Sequence, residues 1–346
     1  MTRSQGLRGC FAAALASLAL LPACGRYSDF TLPIVPGGAN TSFTFDQSPE
    51  PVLTRGEGWE SSDVLNPSVA RGPGATLVNF YSGFDGKTWR TGIAASEDGL
   101  HWRKLGAILS PEPATWESDY IAANGSALFD GGDWWYWYQA GPKGRPQIGL
   151  ARSRAGAGGP AAPRKEPSPV LRYGPYMSWD EQAVADPYVV RIGRYFFMYY
   201  LGQDRGSRQR LGVARSADGL TWEKLRSNPV LDVGAPGAFD ENGLGEPAVW
   251  SSHGFYWMLY TGRDSVEHRR LGLARSVDGI HWRKLPALFP GSRTWDSAVI
   301  CDPTVEVSGS DVRVWFGGGD SASPDEHLNG QVGYGVLKPV PAGGHE

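Results

Sequence analysis

The chain has little cysteine, no long amphipathic period and no excess of one charge. Three cysteines in 346 residues cannot supply a dense disulfide framework, so the fold has to stand on its own apolar core. No long segment repeats apolar residues every 3.6 positions, which excludes a helical bundle. The formal charge of −3 and the lack of a basic stripe leave no footprint for a nucleic-acid partner. What the chain does have is turn chemistry and aromatic residues. It holds 47 glycines, 26 prolines and 12% aromatics, a balance that fits short strands separated by tight turns. Its length allows one large all-β domain or two smaller ones.

The first residues read as an address. "MTRSQGLRG" carries Arg3 and Arg8, and the apolar run "CFAAALASLALLPA" that follows is too short for a permanent span. Leu21-Pro22-Ala23-Cys24 resembles the lipobox of bacterial lipoproteins. That resemblance implies cleavage before Cys24, lipid on its thiol, and export to a bacterial cell envelope with anchoring to the outer membrane. Residues 1–23 are then a signal peptide and 24–41, "CGRYSDFTLPIVPGGANT", a tether. Cys10 leaves with the signal, Cys24 carries lipid, and Cys301 has no partner left.

From there the chain repeats itself. "WESSDVLNPSVA", "WESDYIAANGSAL", "WDEQAVADPYVV", "FDENGLGEPAVW" and "WDSAVICDPTVE" open five copies. Their aligned residues Asn66, Asn124, Asp186, Glu246 and Asp302 are spaced by 58, 62, 60 and 56, which marks a repeat architecture. Each copy predicts an inner strand, an aromatic second strand such as "YFFMYYLG", and a third strand such as "GVARSADG", which ends in an Asp-Gly turn in copies one, three and four and is degenerate in copy five. A fourth strand, "HWRKL" or "TWEKL", follows in copies one, three and four. Four short antiparallel strands repeated radially make a propeller blade. We therefore expect a five-bladed β-propeller over residues 42–338, with 339–346 as a tail. The fifth copy lacks its last strand, and residues 43–53 are expected to supply it and close the ring, removing two exposed edges.

One residue per copy precedes a proline or, in copy two, a glycine. Proline needs no ladder partner at a strand's first position, and it pushes the preceding residue toward extended backbone. The pattern predicts five side chains at the cavity mouth: Asn66, Asn124, Asp186, Glu246 and Asp302. Asp and Asn before proline are also ordinary turn formers, which alone accounts for Asn124 and Asp302. The acids that follow each opening aromatic (Glu60, Glu117, Asp180, Asp240 and Asp296) repeat in every copy and read as structural.

The blade period, the "ARSxDGxxW" strand pair and the acid-proline inner strands resemble the five-bladed propeller glycosidases, the superfamily of arabinanases, β-xylosidases, levansucrases and invertases. The resemblance covers residues 42–338. It implies a glycan as partner, with Glu246 as protonated general acid and Asp186 as an anion that raises the pKa of the acid. It places the base at Asn66, where an amide cannot take a proton. Asp63, three residues earlier and outside the repeat, is the expected substitute. Asn66, Asn124, Asp302, Trp179, Arg210 and Arg270 are the expected substrate-binding residues.

No cofactor is implied. His327 could face a central cation, although it reads first as a loop histidine. Basic side chains crowd the long loops of this face: Lys143, Arg145, Arg205, Arg208, Arg210, Arg263, Arg269 and Arg270. They either pair with neighbouring acids or hold a phosphate co-substrate, as in phosphorolytic relatives that need no base. Three functions fit these residues: a glycosidase, a phosphorolytic relative, and a glycan-binding lipoprotein without turnover.

Overall fold

The computed structural model describes Met1 and residues 26–156 and 159–341. Cys10, Cys24 and the rest of the expected signal peptide lie outside these described residues. Among the described residues there is no α-helix, only three short 3-10 turns, so the chain is all-β.

Five blades follow one another in chain order. Blade I is Asp63–Arg71, Leu77–Phe84, Trp89–Ser96 and Arg103–Leu109. Blade II is Ile121–Asp130, Asp133–Gly141 and Gln147–Gly156, with the two short strands Gly159–Pro160 and Arg164–Lys165 at its outer edge. Blade III is Ala183–Ile192, Tyr195–Gln203, Gln209–Ser216 and Glu223–Leu225. Blade IV is Gly243–Ser252, Phe255–Arg263, Arg269–Ser276 and Arg283–Phe289. Blade V is Val299–Ser308, Asp311–Gly319 and Gln331–Pro341, completed by Thr41–Gln47 from the start of the chain. That strand runs antiparallel to the last one, from Thr41 opposite Pro341 to Gln47 opposite Gly335, and a further bridge joins Leu53 to Val332. The ring-closing segment thus pairs a little earlier than 43–53, and the propeller runs on to Pro341.

Residues 26–41 are not a free tether. Tyr27–Ser28 adds a parallel strand to the outer edge of blade III. The chain then crosses blade IV, where Leu32 and Val35 donate backbone hydrogen bonds to the carbonyls of Asp278 and Val277. Phe30 and Leu32 are buried in the core shared by blades III and IV. The apolar residues of "YSDFTLPIV" explain this, because they cover turns that would otherwise face water.

The core lies between blades. Separate apolar clusters fill the I/II, II/III, III/IV, IV/V and V/I junctions. The aromatic second strands supply most of it, with Trp137, Tyr199, Trp257 and Trp315 fully buried. The Asp-Gly turns of blades I, III and IV each lock their blade to the preceding one. The Gly99 carbonyl accepts from the indole of its own Trp102 at 3.0 Å and from Trp315 of blade V at 2.7 Å. Gly219 and Gly279 accept in the same way from Trp137 and Tyr199 of the preceding blades.

The residues before the proline, or before the glycine in blade II, are not extended. Asn66, Asn124, Asp186, Glu246 and Asp302 all have φ between +46° and +51°. Each sits at a register shift inside its inner strand, a β-bulge, rather than at the strand's first position. The left-handed region costs a non-glycine residue about 1–3 kcal/mol, least for Asn and Asp. A strain repeated five times means that the bulge is a built-in element, one that turns a side chain toward the axis.

Candidate active site

A bulge leaves backbone N–H groups without ladder partners, and neighbouring side chains take them up. Asp302 Oδ2 accepts from Asn66 N at 3.2 Å, and Asp186 Oδ2 from Glu246 N at 3.4 Å. The Ser82 and Thr261 hydroxyls serve Asn124 and Asp302 at 2.9 and 3.2 Å. The inner strands are thus stitched together around the axis, and three carboxyl groups are brought together where blades III, IV and V meet.

Above them is a cavity of about 340 Å³. Asn66, Asn124, Asp186, Glu246 and Asp302 form its base, and Trp89, Tyr120, Gln203, Gln209, Arg263 and Arg269 are among its walls. The Asn124 amide donates to Asp186 Oδ1 at 2.6 Å, so both Asp186 oxygens are engaged. Cys301 donates its thiol to Asp302 Oδ2 at 3.1 Å. Glu246 Oε2 is buried and has no hydrogen-bond partner.

Burial first, then the nearby Glu246 and Asp302 charges, holds the Asp186 carboxyl well above the usual carboxylate range. Burial and Glu246 push Asp302 up to about 8. Asp186, expected as the anion of the pair, is thus itself driven toward its neutral form. Arg269 is the cation beside these carboxyls: burial acts against its charge, but the acids around it, Glu246 and Asp302 among them, hold its pKa up. Its guanidinium donates to the carbonyls of Ser323 and Pro324 in the blade V loop.

Several expected residues lie elsewhere. Asp63 is fully buried, and its carboxylate accepts the backbone N–H groups of His327, Leu328 and Gly330 at 2.7, 3.0 and 2.8 Å. It folds the blade V loop and does not line the cavity, because all three bonds draw it toward that loop. Trp179 is not at the cavity either. Its ring covers Gly202 and Gly212, where a β-carbon would come within 2.2 and 2.5 Å of it, and packs on Tyr200. Arg210 and Arg270 turn away from the axis to Asp204 and Asp264, at 2.6 and 3.4 Å. His327 Nδ1 lies 3.3 Å from the Ser62 hydroxyl, and among the described residues no acid, cysteine and histidine cluster suits a metal ion.

In the sequence Arg269 is one basic residue among several, and no motif there points to Trp89, Tyr120, Gln203 or Gln209. Strand alternation was the available signal. Arg263 pairs with Arg269, and Gln203 with Gln209, so 209 and 269 share the cavity-facing phase while 210 and 270 take the other.

The family model for the glycosyl hydrolases family 32 N-terminal domain matches residues 78–324. The chain is also 28% identical over 231 residues to the uncharacterized protein Rv1502 of Mycobacterium tuberculosis, covering 63% of this chain and 75% of that protein. Solved structures share the propeller. One, described as a complex of BT0996 and RGII, superposes with TM-score 0.68 at 19% identity, covering 87% of this chain and 95% of that one. A β-1,2-mannobiose phosphorylase from Listeria innocua, in complex with β-1,2-mannobiose, superposes with TM-score 0.64 at 11% identity, covering 85% and 97%. At these identities the likeness to the solved structures speaks for the fold alone.

Proposed function

Since the chain belongs to the family of the glycosyl hydrolases family 32 N-terminal domain, we propose that it cleaves a glycosidic bond of an oligosaccharide seated in the axial cavity. The observation that carries this reading is the buried, unpartnered Oε2 of Glu246 on the cavity floor, between Asp186 and Asp302. Glu246 donates the proton to the leaving oxygen. Asp186 is a positioning residue: one oxygen receives the Asn124 amide and the other the Glu246 backbone N–H. Asn66 stands at the expected base position without a carboxylate, and Asp63 is committed to its loop. Asp302 is the remaining carboxyl of the cluster and takes the role of base when ionised.

A phosphorolytic variant of this reading is favoured by Arg263 and Arg269 in the cavity wall, with Arg263 Nε buried and unpartnered. Phosphate oxygen then attacks the anomeric carbon and the bond to the leaving oxygen breaks. That oxygen takes the Glu246 proton, giving a sugar phosphate and a shortened glycan.

The test is a substrate panel assayed with and without inorganic phosphate. It holds β-1,2-mannobiose and longer β-1,2-mannan oligosaccharides, rhamnogalacturonan II oligosaccharides, sucrose and fructan oligosaccharides, and arabino- and xylo-oligosaccharides. Cleavage that proceeds without phosphate and yields only free sugars identifies hydrolysis, and sugar phosphate identifies phosphorolysis. Asn66→Asp should accelerate hydrolysis by restoring a carboxylate. Glycan binding through this cavity without turnover would make the protein a glycan-binding module; neither binding nor turnover would sink the reading. We further place the protein at the bacterial envelope through Cys24. Fractionation of a Cys24→Ser variant, which should leave the membrane, tests that placement.

A further inference from the structure

Blades III and IV are near copies, so their differences are informative. The turn that opens blade III, "LRYGPYMSW" at 171–179, aligns with "LDVGAPGAF" at 231–239. Met177 occupies the position of Gly237, and both have positive φ, +65° and +87°. Both donate their N–H to a carboxylate four residues on, Met177 to Glu181 Oε2 at 2.7 Å and Gly237 to Glu241 Oε2 at 2.6 Å. Glycine makes this turn without strain, so the turn itself gives no reason for a methionine. Tyr176 precedes it where blade IV has Pro236, and Tyr176 and Met177 are 71% and 80% exposed.

A third departure meets these two from farther along the chain. Arg205 replaces Ser265, and its guanidinium lies 4.4 Å from the centre of the Tyr176 ring. Its Nε is 3.2 Å from Glu181 Oε1, so Glu181 holds both the Met177 backbone and the arginine under the ring. Next to it, Tyr173 replaces Val233 and carries Arg145 at 4.6 Å. This rim is continuous with the cavity. Arg205 belongs to the turn whose Gln203, Ser207 and Gln209 line it, and Arg145 to the turn that contributes Lys143, Gly144 and Pro146.

We propose that Tyr176, with Met177 and Arg205, is a distal sugar subsite that stacks the apolar C–H face of a pyranose ring in a substrate longer than a disaccharide. A sugar ring is apolar on its face and polar at its edge. An exposed ring held rigid from one side by an arginine fits the first, and the exposed Arg205 head group fits the second. Exposed apolar residues placed against local turn preference mark function where the fold gains nothing from them. The subsite rests on the glycan-processing reading above.

The test compares wild type with Tyr176→Ala/Met177→Gly on the shortest panel substrate accepted and on its longer homologues. The readout is kcat/KM, or Kd if the glycan is bound but not cleaved. Glycine suits the backbone at 177, so the variant should fold at least as well, which a melting curve checks. We expect a loss of about five- to tenfold on long substrates and none on the shortest. An equal effect at every length, or none at any length, overturns the subsite and leaves the functional reading standing. A shift from dimer to monomer in sedimentation also overturns it, because the patch then joins two copies. A wild type that neither binds nor cleaves any panel member sinks both readings.

Discussion

The propeller buries two repeated sets of acids, and it provides lysine partners for only one of them. In the outer set of blades I to IV, the acid after the opening aromatic meets a lysine of its blade's outer edge and the hydroxyl of a second-strand tyrosine. Glu60 pairs with Lys104 and Tyr81, Glu117 with Lys165 and Tyr138, Asp180 with Lys224 and Tyr200, and Asp240 with Lys284 and Tyr260. In the inner set, Asp186, Glu246 and Asp302 face one another at strained bulges, with Arg269 beside them held by backbone carbonyls. Burial alone therefore does not mark a reactive acid. What sets the inner acids apart is burial among like charges, at a conformation the chain would otherwise avoid.

Blade V supplies its own control for the outer set. Its acid, Asp296, has Phe316 where the other blades offer tyrosine, stacked on the opening Trp295. The outer-edge position taken by Lys224 opposite Ala214, and by Lys284 opposite Ala274, falls here to Gln47 opposite Gly335. Asp296 Oδ2 is buried without a partner, and burial raises its carboxyl above the ordinary range. The blade whose outer strand comes from the other end of the chain is the one that lacks the ion pair.

Removing one acid from the inner set should produce the largest effect. Glu246→Gln should lower kcat by about 100- to 10,000-fold on substrates with poor leaving groups, and less on aryl glycosides, with the melting curve unmoved. A variant that retains wild-type rates would show that the inner set is as structural as the outer one.

The converse substitution is Lys224→Met. It strands Asp180, which is 2.5 Å away and fully buried, and should cost about 3–5 kcal/mol of unfolding free energy in a urea titration. A loss well below about 1 kcal/mol would deny the outer set its structural role.

A smaller effect distinguishes the sets by pH. The Asp302 carboxyl is raised from 3.8 to about 8 in the folded protein, so folding favours its protonated form. Its stabilising contribution is complete below 3.8 and is lost as the pH rises through 8. Wild type should therefore melt at progressively lower temperature from about pH 4 to about pH 8. Asp302→Asn should flatten that slope, gaining a few degrees at the upper end of this range and almost nothing at the lower. An unchanged slope would mean that Asp302 is not the group responsible.

The smallest effect is expected at Asp296. Asp296→Asn removes a carboxyl already raised by burial, so stability at neutral pH should change by less than about 1 kcal/mol, with a slight gain. A large loss would reveal a partner for its charge.

Much of the fold was legible because repetition is a property of the sequence itself. Aligning five phrases locates Asn66, Asn124, Asp186, Glu246 and Asp302 on equivalent strands without any coordinates. The missing strand of blade V could be inferred because a closed ring leaves no unpaired edge. The site was less legible. Asp63 and Trp179 have the residue types of a glycan site, yet backbone amides fold one into a loop and a glycine pair seats the other against its own blade. Arg269 and Arg270 are identical in type and adjacent in sequence, and only the phase of the strand separates the cavity residue from the outward one.

By itself the sequence determined what recurs: five blades, their aromatic cores, the turns and one polar side chain per inner strand. These follow from local propensity and period, which any one copy displays. Only the tertiary structure decided which acids are buried beside one another, which arginine stands with them, and that residues 26–41 are bound across two blades rather than free. Those outcomes depend on neighbours brought together from distant parts of the chain and on the water they exclude. Neither is encoded in any single repeat.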